Sequence, residues 1–379
     1  MRLQTLSYRS DRGLSRSIDA TLDSSSTLVL AFGASRGDLR HALRMVREQL
    51  PLSHMIGCST AGEILGSEVS DDSLSIAIAR FERSRVRSTI ALAIDSSDSF
   101  AIGQHVGRTL NAPDLRAVFV LADGLNVAGS KLVRGIRSAI GDRPAVTGGL
   151  AGDGLLFEKT WVMHQGLLGS GAAVAAGLYG ERMEIGFGSK GGWDIFGPER
   201  AITRARDNVL YELDGKPALQ LYKTYLGQRA SGLPATALLF PLALRSDGAC
   251  ESSVVRTVLA VNERDQSMTF AGDIPQGARA QLMRANFDRL VQGASDAAAM
   301  TQAGGALLGG PTLSIAVSCV GRRMVLGERT EEETEATLEA MPARTEQVGF
   351  YSYGEISPCP HVGSELHNQT MTLTTLSES

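Results

Sequence analysis

Two strand-end signals recur along this chain at a nearly constant distance. Gly33 closes the apolar run "TLVLAFG" (27–33), and Gly124 closes "AVFVLADG" (117–124), 91 positions later. Gly62 and Gly152, in Ala61-Gly62-Glu63 and Ala151-Gly152-Asp153, stand 90 positions apart. One offset shared by two separate signals implies duplication of a strand–helix–strand–strand unit, covering about 27–96 and 115–190. The alternative is two unrelated copies of a common strand–helix–strand piece.

The pattern inside each unit predicts its elements. Short apolar runs ended by glycine read as buried strands. Leu39, Ala42, Leu43, Val46 and Leu50 share one helical face, with Pro51 as the stop. Leu132, Val133, Ile136 and Ile140 form the matching face in the second unit. "DSLSIAIARF" (72–81) and "RSTIALAI" (87–94) alternate and predict half-exposed antiparallel strands. Beyond about 204 the organisation changes. A turn at Asp214-Gly215 precedes a helix entered at Pro217, and "ATALLFPLAL", "VVRTVLAVN" and "RAQLMRA" look strand-like. Asn286 is placed to cap a helix. "LSIAVSCVGR" (313–322) predicts a buried strand, Thr330 and Glu333 a capping box, and "VGFYSYGEISP" with "ELHNQTMTLTTL" the closing strands. The expected fold is mixed α/β. An extension at 1–26 precedes a duplicated domain at 27–215, which packs on a smaller α+β domain at 216–379.

Bulk properties narrow the function. A formal charge of −4 with scattered basic residues gives no reason to expect nucleic acid or an anionic membrane as partner. No apolar run nears the roughly 20 residues that span a bilayer. The start, "MRLQTLSYRSDRG", has no secretory core. A cytoplasmic protein without membrane insertion is expected. Cys58, Cys250, Cys319 and Cys359 are far apart and form no CxxC pair, so neither zinc nor a disulfide scaffold is signalled.

"MIGCSTAGEI" (55–64) concentrates chemistry: Cys58, Ser59, Thr60 and Glu63 between glycines. More strand, rather than a helix, follows Cys58, which gives its thiolate no dipole to lean on. Glycine-rich "GGLAGDG" (148–154) also runs on into strand rather than into a phosphate-binding helix. Neither a GxSxG elbow nor a GxxxxGK[ST] loop is present. Asp123, Asp153, Glu63 and Glu355 all fall at strand-end turns, and the duplication predicts that they cluster at one sheet edge. Such acids either do acid–base work or hold turn amides. Of the histidines, His41, His54, His105 and His361 show no role, whereas His164 and His367 lie in or beside strands.

These residues together resemble a known family. "GCSTAGEI", "TGGLAGD", "AGDIPQGA", "SCVGRRMVLGERTEEE", and "GFYSYGEISP" with "HNQT" resemble the FIST sensory proteins, from about 27 to 370. The resemblance implies a FIST N and a FIST C domain. It implies a non-catalytic bacterial input module that binds a small or gaseous ligand and signals to a separate histidine kinase or cyclic-di-GMP enzyme, with a homodimer as the expected assembly. It also points to the haem-binding, nitric-oxide-sensing NosP branch. Haem b would then need an axial ligand, for which His367, Cys359 and His164 are the candidates. The expected pocket residues are Cys58, Ser59, Thr60, Glu63, Asp153, Arg322, Tyr353 and Glu355. An amino-acid-like ligand is the alternative, with Arg322 and Arg323 facing its carboxylate and Glu63 and Glu355 its amine. An enzyme using Cys58 with strand-end acids is a third reading.

Overall fold

The computed structural model describes residues 1–35, 39–92, 98–245, 254–302, 310–359 and 363–379; Cys250 and His361 lie outside them. Strand β1 (Arg2–Arg9) comes first. The first repeat is β2 (Thr27–Ala34), α1 (Arg40–Gln49), β3 (His54–Thr60), β4 (Glu63–Leu65), β5 (Ser73–Arg80) and β6 (Arg85–Leu92). Helix α2 (Ser99–Leu110) leads into the second: β7 (Leu115–Ala122), α3 (Gly129–Ile140), β8 (Ala145–Leu150), β9 (Val162–His164), β10 (Ala172–Tyr179) and β11 (Met183–Lys190). An inserted β-rich domain carrying α4 (Ala218–Leu226) precedes α5 (Phe287–Met300). A third copy then follows, unread from the sequence. It comprises β12 (Thr312–Cys319), α6 (Val320–Leu326), α7 (Thr330–Glu339), β13 (Thr345–Ser352), β14 (Gly354–Cys359), β15 (Gly363–His367) and β16 (Met371–Glu378).

Each repeat builds one sheet around a parallel pair: β2 with β3, β7 with β8, and β12 with β13. An antiparallel strand of the same repeat joins each pair: β5, β10 and β16. The outer strands are exchanged. β4 leaves the first repeat to pair with β13, β9 leaves the second to pair with β3, and β14 leaves the third to pair with β8. On the other edge β6 pairs with β10, and β11 with β16. β1 fills the equivalent place beside β5, so much of the segment read as an extension is a working strand.

The three sheets turn one face each to a shared core. Leu28, Leu30 and Phe32 of the first meet Phe119 and Leu121 of the second and Ile315, Val317 and Phe350 of the third. Phe32 and Phe350 touch with ring centroids 4.7 Å apart. Helices cover the opposite faces: α1 through Leu43 and Val46, α2 and α3 through Val106, Leu132 and Ile136, and α5 through Ala294, Ala297 and Ala298. Burial on both faces is why the strands read as continuous apolar runs. It also corrects β5, which is buried along nearly its whole length rather than half-exposed.

Three other expectations change. The strand read over 313–322 ends at Cys319, and Val320–Leu326 is helix. The capping box does not form, because Thr330 donates to Gly327 O and Glu333 turns inward to Arg322. The first half of "ATALLFPLAL" is a 3-10 turn, with strand only from Leu242. In the insert, strands 200–206 and 209–213 join those at 242–245, 254–256, 258–262, 267–270 and 279–284. The boundary read at 215/216 therefore falls inside one sheet. This domain has its own core around Leu210, Tyr222, Phe240 and Phe270. Asn286 caps α5 as expected, accepting from the Arg289 amide.

Candidate functional site

The end of each parallel pair carries the same four-residue turn: Thr60-Ala61-Gly62-Glu63, Leu150-Ala151-Gly152-Asp153 and Ser352-Tyr353-Gly354-Glu355. The three turns meet. Gly152 N donates to Ser59 O (3.0 Å), Tyr353 N to Leu150 O (3.2 Å), and Ala61 N to Tyr351 O (2.8 Å), closing a ring of main-chain bonds. A side chain at Gly152 would strike Ala61 and Tyr353. The close approach favours glycine there, since a Cβ would sit 3.1 Å from Ala61 N and the facing turn would have to give by a few tenths of an ångström.

The first and third turns are sealed. Glu63 accepts from Thr60 Oγ1, Ser73 N (3.0 Å) and Ser73 Oγ (2.7 Å). Glu355 accepts from Ser352 Oγ (2.7 Å), Thr370 N (3.2 Å) and Thr370 Oγ1 (2.9 Å). Burial pushes the Glu63 carboxyl up to about 7 and that of Glu355 up to about 8. The second turn is buried too, with Asp153 3% exposed, but it bonds to the loop that follows it. Asp153 accepts from the amides of Phe157, Glu158 and Lys159 and from the Tyr353 hydroxyl. Burial alone would raise its pKa, but these donors outweigh it and hold the carboxyl below its ordinary value.

Beside this turn lies a cavity of about 360 Å³. Its walls come from three parts of the chain. The second repeat supplies Leu125, Val127, Ser130 and Lys131, the third supplies Cys319, Val320 and Tyr353, and the insert supplies Asn208, Thr257, Leu259 and Phe270. Asp123, fully buried, shapes the wall by accepting from Leu125 N, Asn126 N, Thr160 Oγ1 and Gly171 N. Phe157 stacks on Tyr353 at 4.7 Å, with φ of +53°, which is unusual for a bulky side chain. Two shallower clefts occupy matching places at the ends of the other strand pairs. One of about 120 Å³ includes Thr60, Glu63 and Asp153; one of about 450 Å³ includes Ala61, Val320 and Arg323.

The residues expected from sequence divide accordingly. Tyr353 lines the main cavity, and Thr60, Glu63 and Asp153 line the smallest cleft. Ser59 accepts from the Trp161 amide and ties two repeats together. Glu355 is enclosed. Cys58 is fully buried, and burial pushes its thiol pKa well up, so it is no nucleophile. Arg322 is also fully buried. Its guanidinium is used by Glu333 (2.7 Å), Leu290 O (2.8 Å) and Gly191 O, while Glu333 also takes Ser318 Oγ and Tyr351 OH. Arg323 is taken by Asp71 and Ala61 O. The pairing of Arg322 and Arg323 with a ligand carboxylate is therefore replaced by internal bonds.

The three haem-ligand candidates stand apart from the cavity. His367 Nε2 lies 3.4 Å from Cys359 Sγ on the β14–β15 hairpin. Burial, helped by Arg256, lowers the imidazole pKa to about 4, leaving it neutral. His164 shares Ser88 with His54, at 3.0 and 3.1 Å. Among the described residues, no histidine lines the cavity, and no three His, Cys, Asp or Glu side chains gather as a metal site. Sequence reading missed Ser130, Lys131, Asn208 and Thr257. For Ser130 a signal existed: "DGLNVAGSKL" is a strand end running into an apolar-periodic helix, where ligands meet α/β sheets.

A largely apolar cavity with a few amide and hydroxyl donors is the make-up of a ligand-binding module. The chain belongs to the FIST family: residues 27–216 match the FIST N domain and residues 218–358 the FIST C domain. FIST domains are sensory domains of signal-transduction proteins. The chain is also similar to an uncharacterised protein of Methanocaldococcus jannaschii, 25% identical over 210 residues, which are 51% of this chain and 39% of that protein. The chain thus spans about two fifths of that relative's length. No helix among the described residues is long and apolar enough to cross a membrane.

Proposed function

We propose that this protein senses a small organic molecule in the 360 Å³ cavity and signals to a separate partner, such as a histidine kinase or a cyclic-di-GMP enzyme. One observation carries the reading: the cavity is walled by the second repeat, the third repeat and the insert together. A ligand there touches all three, so it favours the arrangement that grips it and shifts the surface a partner meets. The expected test is thermal unfolding with the low-molecular-weight fraction of a cell extract. The fraction raises the Tm of the wild type but not of a cavity-filled Leu259→Trp variant. Equal shifts in both proteins, or none in either, would sink the reading.

Haem b with nitric oxide as signal is the second reading. One observation favours it, the neutral His367 imidazole beside Cys359. The residues as placed do not form a haem slot. His367 is spent against Cys359, and Cys359 borders a separate recess with Asp142, Arg143 and Phe187, away from the apolar cavity. A stoichiometric haem absorption band altered by His367→Ala would restore this reading.

A further inference from the structure

The cavity has a polar end and an apolar end, and the polar end is built for negative charge. Helix α3 begins there. No side-chain cap bond is made there, and the amides of Gly129, Ser130 and Lys131 have no acceptor among the described residues. Such a helix start concentrates partial positive charge and unpaired N–H donors. The Ser130 hydroxyl adds a second, independent sign: it is 5% exposed, it lines the cavity, and it has no hydrogen-bond partner. A buried hydroxyl left unpaired is costly unless something else satisfies it.

A third sign lies behind the wall. Arg256 is buried and donates to Asp273 O (3.2 Å), Val255 O (3.2 Å) and Leu366 O (3.0 Å), with no carboxylate in ion-pair contact. Asp273 and Leu366 are themselves cavity residues. Glu365 and Asp273 act on its charge from beyond ion-pair distance, and with no direct ion pair the cation still favours an anion nearby. The acids at the rim are already engaged. Asp273 pairs with Arg134 at 3.0 Å, and Asp207 lies 3.8 Å from Lys131. Among the described residues, both carboxylates that line the cavity already have a cationic neighbour. Away from the first turn of α3 the wall is mostly apolar, with Leu125, Leu150, Leu259, Phe270 and Val320 interrupted by Asn208, Thr257 and Tyr353.

Building on the cavity reading, we infer that the ligand is a small organic monocarboxylate with an apolar body, its carboxylate seated on the first turn of α3 against the Ser130 hydroxyl. The Ser130 O–H and the α3 amides donate to the carboxylate, and the hydrocarbon part displaces water from the apolar end. An α-amino acid is disfavoured against its deaminated counterpart, because its ammonium would be buried without a partner.

The test uses the full chain at constant ionic strength. Acetate, isovalerate and phenylacetate are compared with their primary amides, and phenylalanine with phenylpropionate, by thermal shift. The expected result is a saturable Tm rise with at least one acid, none with its amide, and a weaker response to phenylalanine than to phenylpropionate. Ser130→Ala should weaken the response about tenfold through loss of one charge-assisted hydrogen bond. Ser130→Asp places a fixed carboxylate at the helix start, where it favours folding, and should abolish the response while leaving the protein folded by circular dichroism. Equal shifts by acid and amide, a response that survives Ser130→Asp, or silence across the acid series would overturn the inference. If the acids are silent while the extract fraction still stabilises the wild type and not Leu259→Trp, the sensing cavity stands and only the carboxylate falls. If the extract fraction fails too, both fall.

Discussion

The turn that ends the third repeat's parallel pair and the turn that ends the second's occupy the same place in the fold and do different work. At the third, Glu355 is fully enclosed by Ser352 and Thr370, just as Glu63 of the first repeat is by Thr60 and Ser73. At the second, Leu150 replaces the hydroxyl residue and the acid is shortened to Asp153, which reaches outward to three loop amides and to Tyr353. The deeper 360 Å³ cavity lies beside this divergent turn, whereas the 450 Å³ cleft at another strand end is shallower. The shared geometry holds the ring together, and the departure leaves room and donors for a ligand.

This contrast can be attacked from several directions. The largest effect is expected at the Arg322–Glu333 pair, which locks the third repeat with both side chains fully buried. Arg322→Ala strands the Glu333 charge and should cost about 3–5 kcal/mol by chemical denaturation. The double change Arg322→Met with Glu333→Leu should recover most of it. A loss under about 1 kcal/mol would mean the third repeat is not locked by charge. Next, Asp153→Asn removes a carboxylate that orders residues 157–159 and should cost about 1.5–3 kcal/mol. It should also loosen that loop to proteolysis, whereas Glu355→Gln, at a sealed turn, should leave the loop intact. Equal loop loosening in both would erase the distinction between the turns.

The pH dependence sharpens the same comparison, with opposite signs. Glu63 and Glu355 bind protons in the folded chain that the unfolded chain has already released above its ordinary carboxyl value of 4.5. Their contribution is full below that value and is lost as pH rises through about 7 and about 8. Asp153, held low, contributes above the ordinary carboxylate range and loses that contribution as pH falls through its lowered value. Urea midpoints across the neutral range should therefore flatten in Glu355→Gln and keep their slope in Asp153→Asn. The smallest effect is expected at Phe157. Phe157→Gly relieves a left-handed backbone conformation while losing the Tyr353 stack, and these offset to within about 1 kcal/mol. Phe157→Ala keeps the strain and loses the stack, so it should be the less stable of the two.

Much of this architecture was legible in the chain. The 90-residue offset, the apolar strands and the faces of α1 and α3 follow from period and glycine placement alone. The third copy escaped because the insert and α5 separate it from the others and because its turn reads Ser-Tyr-Gly-Glu instead of Ala-Gly-acid. Strand exchange left no trace, since a strand carries the same alternation whichever repeat it pairs with. The site was half legible. Asp153 stood out as a turn residue and Tyr353 came in only with the family resemblance, while Arg322 drew a ligand role although its guanidinium is buried and bonded internally. Ser130 went unremarked because a serine near a helix start is ordinary until its hydroxyl is seen to be buried and unpaired.

The exchanged strands have a consequence for how the molecule comes into being. The first sheet needs β9 from the second repeat, the second needs β14 from the third, and the third needs β4 from the first. The first sheet closes once the segment near residues 162–169 has emerged, but the second and third wait for residues near the end of the chain. Contacts of such sequence separation make folding slow and leave partial chains with open edges. Cutting the chain at the boundary between its two matched family segments should therefore yield two aggregating halves, and mixing them before they collapse should be the route by which they regain a native fold.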